Sequence, residues 1–115
     1  MEMDVRREEY VDVNDALNRI GGNMDLYKRL IGRFRDGNHY DMLCEAISGG
    51  DAEESARLAH TLKGVSANLS LVKIREITTD IEQSIKEGAD YNAQLSELGS
   101  AYNKTMEIVA EILGQ

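Results

Sequence analysis

Apolar residues recur along most of this chain at intervals of three and four, the spacing that lines one face of an α-helix. Leu58, Leu62, Val65 and Leu69 form one such stripe. Leu71, Ile74, Ile77, Thr78, Ile81 and Ile85 form a second, and Leu95, Leu98, Tyr102, Met106, Val109, Ile112 and Leu113 a third. A further helical pattern over residues 24–48 carries Leu26, Tyr27, Leu30, Ile31 and Phe34, then Tyr40, Leu43, Cys44 and Ile47. Gly37-Asn38 marks a bend between its two halves.

Local signals place the helix ends. Asp12 caps a short helix bearing Ala16, Leu17 and Ile20, which Gly21-Gly22 closes, and Gly49-Gly50 stops the 24–48 pattern. Asp51 followed by Glu54 resembles a capping box and opens a helix ending near Asn68. Ser70 is the expected N-cap of the next helix; Gly88 ends that one, and Ala89-Asp90-Tyr91 turns into the last. Four long amphipathic helices with short links bury their stripes most simply as an antiparallel bundle. The expected fold is therefore all-α: one antiparallel four-helix bundle over residues 11–115, with residues 1–10 a polar leader or a short additional N-terminal helix.

Composition sharpens this picture. The 115 residues fit a single domain, and the absence of proline leaves helical ladders uninterrupted. Thirteen basic and 21 acidic residues give a net charge of −8, spread along the helix faces. Nucleic-acid binding, which rests on clustered Lys and Arg, is excluded on that ground. No spanning apolar run or secretory segment is present, so no membrane role is expected. The single Cys44 forms no internal disulfide and reads as a small core hydrophobe in a reducing, cytoplasmic setting. The patterned surfaces and net charge point to a monomer, and the initiating Met and self-contained core favour a stand-alone protein over a domain cut from a larger one.

The candidate chemistry centres on His60. At roughly 100° per residue it lies about 200° from Leu58, so it points away from the buried stripe. Its neighbours on that outer face are Ala56, Arg57, Lys63, Gly64 and Ala67. Small residues leave the ring open to a visiting molecule, and Lys63 sets an ammonium where an added anion would sit. Gly64 costs roughly 1 kcal/mol against Ala in a helix interior, which points to a need for close approach. An open imidazole beside a cation, with no second catalytic group nearby in sequence, suits a phosphoryl carrier. A metal site is not expected, since His39, Cys44 and His60 lack ligand spacing.

The run His60-Thr61-Leu62-Lys63-Gly64, continuing to Asn68-Leu69, resembles the central motif of the histidine-containing phosphotransfer (HPt) domains of phosphorelays. Ala16 to Gly22, the Leu30 to Phe34 stretch, Ala46 to Asp51, and Ile81-Glu82 resemble flanking segments of the same family, so the likeness spans about residues 11–113. Ser70 stands where that family commonly has glycine, and Val65 where it has a smaller residue. The resemblance implies that His60 accepts a phosphoryl group from a receiver-domain aspartyl phosphate and passes it to another receiver's aspartate. It implies no cofactor of the chain's own, with Mg²⁺ supplied by the receiver; the partners would be response-regulator receivers or a hybrid sensor histidine kinase. Lys63 would neutralise phosphate charge, Gly64 would admit the partner, and Glu82 would hydrogen-bond the unreactive ring nitrogen. Ala56, Ala59, Lys63, Gly64 and Ala67 are the expected docking residues. An autokinase is not expected, for want of an ATP-binding domain; the alternative is an adaptor that docks a receiver or kinase through the same face without phosphorylation.

Overall fold

Three helices of the chain start where a side chain accepts from a backbone N–H that the helix end leaves over. The computed structural model describes residues 5–114, and these form α1 (Val5–Tyr10), α2 (Val13–Arg19), α3 (Met24–Asp36), α4 (His39–Ser48), α5 (Ala52–Asn68), α6 (Val72–Glu87) and α7 (Asn92–Leu113). Met1 to Asp4, part of the expected leader, lie outside the described residues, as does Gln115. Asp12 caps α2 by accepting from the Asp15 N–H, and Asn23 caps α3 by accepting from the Leu26 N–H. Asp51 caps α5 in the same way through the Glu54 N–H. The capping box is only half formed, because the Glu54 carboxylate turns to Arg57 instead of reaching back. Gly88 ends α6 in the left-handed conformation at φ 70°, where glycine meets no Cβ penalty.

The architecture is all-helical, as the periodicity predicts. Helices α5, α6 and α7 are long, and α5 packs against both α4 and α6, while α7 packs against α6 and α3. The fourth wall of the bundle is thus shared: α4 closes it on α5 and α3 closes it on α7. The short connections Leu69–Leu71 and 88–91 return the chain antiparallel. Helix α1 lies on α6 and α7, and α2 on α3. The core gathers Tyr27, Ile31, Phe34, Leu43, Leu58, Leu62, Leu71, Ile74, Ile81, Leu98, Ile108 and Val109. Among the described residues, no helix is long and apolar enough to cross a membrane.

Two local expectations are corrected. The 24–48 pattern is not one bent helix but two. Gly37 leaves the helix with ψ −179° while its N–H still bonds the Arg33 and Phe34 carbonyls, and α4 restarts at His39 with the ring stacked on Phe34 at 5.9 Å. Nor does Ser70 cap α6. It adopts φ 55°, in the left-handed region; its hydroxyl donates to Asp15 Oδ2 at 2.6 Å, and its carbonyl accepts from the Asp12 N–H at 3.0 Å. Ser70 therefore ties the α5–α6 turn to the start of α2. The left-handed conformation costs a non-glycine residue about 1–2 kcal/mol. Ser70→Ala keeps that strain and loses the hydroxyl, whereas Ser70→Gly loses the hydroxyl but sheds the strain. Urea unfolding is expected to rank Ser70→Gly above Ser70→Ala by about 1 kcal/mol; equal midpoints would mean the turn relaxes elsewhere.

Candidate functional site

The helix that carries His60 is fixed from both sides. Ser55, Leu58, Ala59, Leu62 and Ser66 form its buried face, and two glutamates in its first turn suit the positive end of the helix dipole. His60 stands on the opposite face with its side chain 68% exposed. Ser66 spends its hydroxyl locally, donating to the Leu62 and Lys63 carbonyls. On α6 the buried positions Ile74, Thr78 and Ile81 are followed by a buried acid, Glu82, only 5% exposed at its side chain.

Glu82 is where the two helices meet chemically. Its Oε2 lies 3.0 Å from His60 Nδ1 and 3.0 Å from Lys86 Nζ, and its Oε1 lies 2.8 Å from Lys63 Nζ. The Lys63 contact is an ion pair without hydrogen-bond alignment, since Oε1 has no aligned donor. Burial pushes the Glu82 carboxyl up, but Lys63, Lys86 and His60 against it outweigh that and hold the group down at about 2. The carboxylate is thus ionised at neutral pH and can only accept, so His60 Nδ1 is the protonated nitrogen. In the neutral ring the lone pair then falls on Nε2. Lys63 and Lys86 against one carboxylate leave the cluster one positive charge in excess, in a chain of net charge −8.

The remaining residues of the expected site divide. Gly64 is exposed, and Ala56 and Ala67 are half-buried beside His60. Ala59 is a correction: it is fully buried in the core, because it shares a face with Ser55, Leu62 and Ser66 at steps of four, three and seven, and it offers a partner no surface. Arg57 faces outward but is clamped by Glu54 at 2.6 and 2.9 Å. His39 is half-buried against Phe34. The family model described as the Hpt domain matches residues 37–111, which take in α4, α5, α6 and most of α7. The chain belongs to the Hpt domain family. Hpt domains serve histidine phosphotransfer in phosphorelays and carry no ATP-binding domain of their own. No curated protein and no solved structure matches the chain.

Within this Hpt domain, sequence reasoning missed one member of the charged cluster. Lys86 follows Glu82 by four residues, the helical spacing at which an acid and a base pair best. That signal was present, but many surface helices carry it with no functional meaning. What singles out Lys86 is the burial of its partner.

Proposed function

We propose that His60 is the phosphoacceptor of a phosphorelay and exchanges a phosphoryl group with the aspartates of receiver domains. The observation that carries this reading is the ring itself: two-thirds exposed and held at Nδ1–H by a buried, ionised carboxylate. The Nε2 lone pair attacks the phosphorus of a receiver's aspartyl phosphate, and the bond from phosphorus to the aspartate oxygen breaks. The aspartate leaves as a carboxylate, and the ring keeps its Nδ1 proton and becomes cationic. Glu82 stabilises that cation, so no base need remove a proton during transfer. Onward transfer reverses the steps and releases a neutral imidazole. Phosphoryl transfer depends on position and charge, and this site supplies both. The receiver brings the divalent cation and its own acidic pocket.

Lys63 is the residue that meets the phosphoryl charge, as a mobile ammonium one turn from His60. Ala56, Lys63, Gly64 and Ala67 line the approach. The lone, unpaired Cys44 fits a cytoplasmic setting. Incubation with a phosphorylated receiver is expected to give wild-type protein an acid-labile, base-stable label, and incubation with ATP alone is expected to give none. Failure to take label from every receiver of the source organism overturns the carrier reading and returns the phosphorylation-independent adaptor.

Gly64 gives a separate test. A Cβ built there meets no atom within 4 Å, so alanine is free of clashes within the chain. Gly64→Ala is expected to stabilise α5 by about 1 kcal/mol while slowing transfer, because the added methyl stands on the approach to Nε2. Unchanged transfer in the more stable protein would show that no partner comes close at this position.

A further inference from the structure

Resting on the reading of His60 as phosphoacceptor, we infer that Lys86 is a positioning residue for transfer: by holding the Glu82 carboxylate it frees Lys63 to follow the phosphoryl group. A carboxylate 95% withdrawn from water is costly to leave without a cation. In the resting protein Lys63 pairs with Oε1, on the same helix face as His60. If Lys63 were the sole lysine, turning toward a phosphoryl group on Nε2 would leave the acid with the ring cation as its one counter-charge. Its charge would be divided between two anions.

Lys86 removes that conflict. It reaches Oε2 from the same helix as Glu82, at 3.0 Å, and stays with the carboxylate whichever way Lys63 points. Its side chain is 60% exposed and Lys63's 33%, so neither ammonium is locked in the core. The charges also balance. The resting cluster, with a neutral ring, carries one positive charge in excess. A phosphoryl group brings close to two negative charges, and the ring cation supplies one more positive. The loaded site therefore comes close to neutral only with both lysines present. Of the neighbouring side chains, Arg57 is held by Glu54 and the Glu87 carboxylate accepts from Gln83, so each has a partner outside the cluster.

The proposal places the effect of Lys86 on Glu82, and that makes it separable from a direct phosphate contact or a general field. The experiment compares label transfer from one phosphorylated receiver to wild type, Lys86→Met, Lys86→Arg, Glu82→Gln and the Lys86→Met/Glu82→Gln double variant. Far-UV circular dichroism and urea midpoints establish that each is folded. Lys86→Met is expected to slow transfer about tenfold, equivalent to ~1.4 kcal/mol at the transition state, and Lys86→Arg is expected to restore most of the rate. In the Glu82→Gln background the same Met substitution is expected to cost less than about twofold, because an amide needs no counter-cation. A tenfold loss in both backgrounds overturns the proposal, since Lys86 would then act on the phosphoryl group itself. Transfer at the wild-type rate in Lys86→Met overturns it too, while leaving His60 as carrier. If wild type takes no label at all, the carrier reading falls and this inference with it.

Discussion

His60→Gln is expected to take no label from any phosphorylated receiver and to unfold at nearly the wild-type urea concentration. Glutamine is the informative replacement. Its amide nitrogen has a delocalised lone pair and is no nucleophile, so the loss of transfer should be complete rather than partial. The same amide has N–H groups to donate to Glu82, which keeps the buried carboxylate paired where alanine would remove a partner. The wild-type ring is two-thirds exposed and buries little apolar surface. Replacing it should therefore cost within about 1 kcal/mol of stability. Label on His60→Gln would move the acceptor elsewhere, with the half-buried His39 the remaining imidazole. A large loss of stability would mean that the ring holds α5 and α6 together, which its exposure argues against.

The outward direction of His60 was legible because periodicity fixes it: Leu58 and Leu62 leave it only the opposite face. Lys63 and Gly64 followed from the same helix geometry. Ala59 was misjudged because it sits at the edge of the stripe, where a small side chain gives no sign of whether a neighbouring helix covers it. Helix α4 and helix α6 both pack on α5, and together they widen the buried face beyond its leucines. Glu82 was placed through the family likeness, yet its burial was not readable, since an acid on an amphipathic helix ordinarily faces water. The burial arises because three cations or donors converge on it from two helices, and spacing along one chain does not show convergence. Ser70 illustrates the same limit. A serine before an apolar run is a good cap signal, but here a contact with Asp15, distant in sequence, decides its conformation.

Glu82 should also leave a mark on acid stability. Its folded-state value of about 2 lies below the ordinary glutamate value of 4.5, so folding favours the ionised form. The contribution is fully present above about pH 4.5 and is lost as the pH falls through 4.5 toward 2, where the folded protein also takes up the proton. A difference of that size corresponds to about 3 kcal/mol, a large part of the 5–15 kcal/mol typical of a small domain. Glu82→Gln keeps an acceptor for the Nδ1–H and removes only the charge. The variant is expected to be about 3 kcal/mol less stable than wild type at pH 7, with the gap closing steadily below pH 4.5. Asp15 and Glu54 are also held below the usual carboxylate range, Asp15 by Ser70 and Arg19 and Glu54 by Arg57. Both are common to the two proteins and cancel in the difference. Urea unfolding of the pair at several values between pH 7 and pH 2.5 measures it directly. A gap that stays constant with pH would mean that Glu82 titrates as an ordinary acid, and the fixed ring tautomer on which transfer through Nε2 depends would lose its support.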